Sequence, residues 1–90
     1  MDRVHYIWLD YTHYDSNGKP GSNDSFLVFN GNISLEKAKA MIASVKLSYC
    51  KEYIAKRSNF FSQKGIEVKM AAQNTRTSKV LYEKTIGIIE

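Results

Sequence analysis

The stretch SLEKAKAMIASVKLSYCKEYIAKR, Ser34 to Arg57, is the segment of this chain with a sustained helical period. Leu35, Ala38, Met41, Ile42, Val45, Tyr49 and Tyr53 recur at three- and four-residue steps and form one apolar stripe on a helical wheel. Ser34 is placed to cap the helix, its hydroxyl accepting from a free backbone N–H of the first turn, and Glu36 stands near the positive helix end. Lys39, Lys46 and Arg57 fall along one border of the stripe, where their stems can lie on apolar surface with the charges in water. The spacing therefore predicts one long helix.

On its N-terminal side, Arg3 to Asp15 alternates, with Val4, Tyr6 and Trp8 on one side and His5, Ile7, Leu9 and Tyr11 on the other. Both sets are large, which predicts a central strand contacted on two faces. The segment DSNGKPGSND, Asp15 to Asp24, carries the turn dipeptides Asn17-Gly18 and Pro20-Gly21 and is expected to be a flexible loop, too long for a tight hairpin. Phe26 to Phe29 follows as a short buried strand closed by Asn30-Gly31-Asn32.

Beyond the helix, Ser58-Asn59 loosens the pattern, Phe60-Phe61 are expected to close the end of the core, and Lys64-Gly65 reads as a turn. Ile66, Val68, Met70 and Ala72 alternate with Glu67, Lys69, Ala71 and Gln73 as a one-sided strand, and residues 73–78 form a polar turn. The last strand is expected to place Val80, Tyr82, Ile86 and Ile88 on one side, interrupted by Lys84, with Gly87 marking a bulge or a close backbone approach. The result is a single α+β domain over 1–90. It has a two-layer ββαββ order, one long helix packed on a mainly antiparallel four-stranded sheet.

One helix covers one sheet face, so the other needs a partner. The period leaves open whether Tyr6 and Trp8, or Ile7 and Leu9, face the helix. Charge is unevenly spread. Residues 1–36 hold two cations against five carboxylates, a balance of −3, while residues 37–90 hold eleven against four, a balance of +7. A basic surface on the helix and C-terminal strands follows, suited to a polyanion or an acidic protein.

Catalytic and metal chemistry find little footing. His5, His13, Asp10, Asp15 and Cys50 are the candidate donors, without a ligand spacing among them, and eight strand residues separate the two histidines by roughly 26 Å. There is no nucleophile elbow, no phosphate-binding glycine loop and no carboxylate pair at helical spacing. No cofactor, metal or enzyme activity is expected. A small metal-independent ribonuclease working through His13 and nearby lysines is the remotest alternative, against a bland reading as a solvent-facing strand-end histidine. The lone Cys50 excludes an internal disulfide. With no segment resembling a signal peptide or membrane span, it suggests a cytoplasmic protein.

Binding is better supported. Aromatic rings on an open sheet with cations gripping the backbone are the usual means of holding RNA. Lys39, Lys46, Arg57, Lys69, Arg76 and Lys79 are the candidate nucleic-acid contacts, and Tyr6, Trp8 and Tyr82 the candidates for stacking or interface burial. The leading expectation is an RNA-contacting or antitoxin-like regulator acting by occlusion, with a homodimer burying the open face. The alternative is an inhibitor docking on a larger protein through its sheet face or edge, by analogy of size and class with phage accessory and counter-defence proteins.

Overall fold

The computed structural model describes residues 2–15, 17–57, 65–75 and 78–89, with the backbone alone at Ser22. Strand β1 spans Arg3–Tyr14 and β2 Pro20–Ser34, helices α1 and α2 span Leu35–Ala43 and Leu47–Arg57, and strands β3 and β4 span Ile66–Asn74 and Lys79–Ile89. The sheet order is β2-β1-β3-β4, antiparallel throughout. The chain is thus α+β with a curled antiparallel sheet, and β1 is an inner strand as its two-sided apolar pattern requires. The helices carry the chain from β2 over β1 to β3. The molecule extends 43 × 23 × 18 Å.

The outer strands are longer than the inner ones they pair with. Val4 pairs with Ile33 and Tyr6 with Asn30, so Gly31 and Asn32 stand together against His5. Val28 is a second extra residue, between Leu27 opposite Trp8 and Phe29 opposite Ile7. A third lies where His13 faces the Gly21–Ser22 backbone. In the same way β4 carries extra residues at Ile86 and Leu81 against β3. Each bulge adds twist and bends its strand, which curls the sheet and brings Phe26, Val28 and Phe29 all against the helix-side core. Gly31 is where β2 survives the turn-like Asn30-Gly31-Asn32. A Cβ there would stand 2.7 Å from Cζ of Phe29, so the ring occupies the space a side chain would take.

The expected loop over residues 15–24 is much shorter, because Asp15 organises a tight hairpin. Its backbone N–H donates to the Lys19 carbonyl at 3.0 Å, and its Oδ1 accepts from the N–H groups of Asn17 and Lys19, both at 2.9 Å. Gly18 supplies the positive φ of 79°. Residues 20–24 consequently join β2.

The single long helix is instead two. Ser34 caps α1, accepting from the Lys37 N–H at 3.1 Å. The helix stops at Ser44, whose N–H is shared between the Ala40 and Met41 carbonyls and whose Oγ donates to the Met41 carbonyl at 2.8 Å. Serine competes with helical hydrogen bonding in this way and the β-branched Val45 follows it, so the pattern breaks. The break resets the buried stripe. Ala38 and Ile42 are buried in α1, but Cys50 and Ile54 in α2, while Tyr49 is 53 % exposed. Each helix covers its own part of the curl. One packs Val4, Ile7, Ala38, Ile42, Met70 and Ala72 together, and the other Leu9, Tyr11, Cys50, Ile54, Ile66, Val68 and Ile89.

β3 keeps the expected alternation of Ile66, Val68, Met70 and Ala72. β4 does not: its bulges leave Tyr82 and Ile86 half-buried and turn Val80 and Ile88 outward, 47 % and 52 % exposed. Gly87 meets its expected close approach, since a Cβ would lie 3.1 Å from Cδ2 of Leu47. The roles foreseen for Phe60 and Phe61 lie outside the described residues.

Candidate functional site

The register places Ile7, Leu9, Tyr11 and His13 against the helices and leaves Tyr6, Trp8, Asp10 and Thr12 on the uncovered side of β1. Four rows of side chains cross that side from β2 to β4. They read Asn30, Tyr6, Gln73, Val80; then Leu27, Trp8, Ala71, Glu83; then Ser25, Asp10, Lys69, Thr85; then Asn23, Thr12, Glu67, Ile88.

The first two rows are the apolar end. The rings of Tyr6 and Trp8 meet edge to face with centroids 6.0 Å apart. Trp8 donates its indole N–H to Oε1 of Gln73 at 2.9 Å, and Gln73 Nε2 donates to the Ser78 carbonyl at 3.0 Å, tying the ring to the β3–β4 turn. With its polar atom satisfied and Ala71 buried alongside, Trp8 presents mainly apolar surface. Leu27 flanks it at 41 % exposure, and Val80 lies across Gln73. These exposed side chains were not among the sequence candidates, because the bulges at Val28 and Leu81 reverse the side they face.

The next two rows carry Asp10, Lys69 and Glu67, and Glu83 stands at the β4 end of the Trp8 row. Among the described residues of the four rows, three carboxylates thus face one cation, Lys69. Lys69 Nζ lies 3.8 Å from Glu67 and 3.9 Å from Glu83, so its charge is engaged locally. Exposed pairs of this kind contribute little to stability. They do set the sign of the face.

The candidate contacts therefore do not assemble into one surface. Lys39, Lys46 and Arg57 lie on the helix layer, across the sheet from Tyr6, Trp8 and Lys69. Lys39 sits 4.0 Å from Glu36 and 5.6 Å from the ring centroid of Tyr82. Tyr82 belongs to the helix-side core, apart from the two aromatics it was grouped with. Lys46 is exposed between the helices. Arg57 stacks its guanidinium 3.6 Å over the Tyr53 ring and donates to the Tyr53 carbonyl at 3.3 Å. Lys79 opens β4 at the sheet edge, and Arg76 lies outside the described residues.

The helix layer has the opposite sign. Between Leu35 and Arg57, six cations (Lys37, Lys39, Lys46, Lys51, Lys56 and Arg57) face two carboxylates, Glu36 and Glu52. That excess of four equals the net charge of the whole chain.

The catalytic candidates are displaced too. His13 is not solvent-facing: it is 2 % exposed on the helix side, edge to face with Tyr11 at 5.4 Å, out of reach of a ribose hydroxyl. Cys50 is buried, and burial pushes its thiol pKa up from 9.0, partly offset by a backbone hydrogen bond, which suits packing and not nucleophilic attack. Among the described residues no three His, Cys, Asp or Glu side chains gather as a metal site, and no helix is long and apolar enough to cross a membrane.

No protein-family model matches this chain, and searches of curated proteins and of solved structures returned no match either.

Proposed function

We propose that this chain is a non-enzymatic binding protein that acts by occlusion, docking on a larger protein through the uncovered face of its sheet. The observation that carries this is the pairing of Tyr6 and Trp8 with exposed Leu27 and Val80 on a face whose charged rows are acidic. Contiguous apolar side chains rimmed by polar ones are the usual anatomy of a docking patch. The carboxylates repel a phosphate backbone, so stacking of RNA on Tyr6 and Trp8 is disfavoured here. The complementary target surface offers an apolar recess for Trp8 and Leu27 with cations nearby. The bulges along β2 and β4 blunt the sheet edges, which favours the face over strand addition.

The test is purification from the protein's own cells at low salt, comparing the native chain with a Leu27→Asp, Val80→Asp variant. Both positions are exposed, so the variant keeps its fold. The native chain is expected to bring one stoichiometric protein that ribonuclease does not remove, and the variant to come alone. A partner retained by the variant would remove the sheet face from the interface. Ribonuclease-sensitive absorbance at 260 nm without a protein partner would restore the RNA reading, now confined to the helix-layer cations Lys39, Lys46 and Arg57, the last two beside exposed Tyr49.

A further inference from the structure

A recess opens on the helix-covered side of the sheet, where the helices part. It holds about 260 Å³ and is lined by Val28, Phe29, Met41, Ile42, Val45 and Met70, with Ser44 and Tyr49 also on its wall. It lies where the helix break at Ser44 meets the extra residue Val28 of β2. It reaches the core, since Ile7, Ile42 and Met70 at its base are 2 %, 0 % and 4 % exposed. A shallower depression of about 400 Å³ shares Ser44, Val45 and Tyr49 with it and adds Lys46, Ser48 and Glu52.

We infer that this cleft receives one large apolar side chain from an acidic polypeptide segment, which lies across the helix break with its carboxylates over the cations of the helix layer. Three observations select that occupant. The volume of about 260 Å³ is below the roughly 300–1,000 Å³ typical of small-molecule pockets and suits a single anchoring side chain. The lining is mainly apolar: its polar side chains are Ser44, whose hydroxyl donates to the Met41 carbonyl, and the half-exposed Tyr49. A nucleobase edge would find few partners there and an aliphatic or aromatic side chain needs none. The helix layer as a whole carries six cations against two carboxylates, and Lys46 stands in the adjoining depression together with Glu52, so the layer's excess charge favours an acidic flank over a basic one. The site is independent of the sheet-face docking proposed above, and together the two surfaces would make the chain a two-sided bridge.

The experiment is a titration of ¹⁵N-labelled full chain with a synthetic peptide carrying one tryptophan between aspartates, followed by amide shifts. The expected response is at Val28, Met41, Val45 and Tyr49, with the indole N–H signal of Trp8, on the other face, unmoved. Lys46→Glu is expected to weaken binding about five-fold, the effect of losing an exposed charge contact. Val45→Phe, which fills the cleft, is expected to abolish it while the remaining spectrum reports the fold. Absence of shifts at millimolar peptide, an equal response to the same peptide flanked by lysines, or an unaltered affinity in Lys46→Glu would overturn the proposal. Tighter binding of an oligouridylate or of dodecanoate to these same residues would overturn it in favour of RNA or a lipid-like ligand.

Discussion

At the residue scale, Cys50 shows how burial alone can decide the fate of a reactive group. Its side chain packs with Leu9, Tyr11, Ile54 and Val68 beneath α2, and desolvation raises its pKa above 9.0. In the unfolded chain the thiol ionises near that ordinary value. Between it and the higher folded value, the unfolded state has lost a proton that the folded state retains. Stability falls with rising pH wherever the unfolded state binds fewer protons. The contribution of this group is therefore fully present below pH 9.0 and is lost as pH climbs above it. Urea melts of the native chain and of Cys50→Ala from pH 7 upward test this, since every other ionisable group is common to both. The native chain's margin over the variant is expected to shrink above pH 9, and a constant margin would show that the thiol ionises as freely when folded.

At the element scale, the hairpin β1–β2 depends on a glycine that looks like a strand terminator. Gly31 lies under the Phe29 ring, so Gly31→Ala forces the ring or the strand to move and is expected to cost about 1–3 kcal/mol by overpacking. In a Phe29→Leu background the same change should cost much less. Chemical denaturation of the four chains forms a double-mutant cycle, and equal costs in both backgrounds would mean that the clash is not with the ring. The same element explains what could be read in advance. The alternation of Ile66, Val68, Met70 and Ala72 in β3 was legible because β3 contains no extra residue. The outward turn of Leu27, Val80 and Ile88 was not, since a bulge shifts a period of two without a local sequence mark. The Ser34 cap was legible from a hydroxyl before a helical run. The break at Ser44 was hidden because Ile42, Val45, Tyr49 and Tyr53 continue an ideal wheel across it. Tyr6 and Trp8 were found as a pair, whereas their acidic neighbourhood became visible only once pairing brought Asp10, Glu67 and Glu83 across to them.

At the scale of the whole molecule, the two layers differ in sign, and this bears on self-association. Pairing two copies through their uncovered faces would set Asp10, Glu67 and Glu83 of one against the same residues of the other, with one Lys69 on each side. A two-fold interface repeats its own patch, so an unbalanced face meets like charge. Edge pairing is hindered as well, because β2 carries three bulges and β4 two along the outer sides of the sheet. The chain alone is therefore expected to be a monomer at micromolar concentration and low salt. Raising the salt screens that repulsion and should promote association through Tyr6, Trp8, Leu27 and Val80. Sedimentation velocity over a range of salt measures this directly, with Leu27→Asp as the variant that should stay monomeric throughout. A stable dimer at low salt that dissociates as salt is added would have the opposite physical origin. It would join the acidic face of one copy to the basic helix layer of the next, and Lys46→Glu would then be the substitution that weakens it. The direction of the salt effect thus distinguishes a face kept apart by its own charge from a molecule whose two layers attract each other.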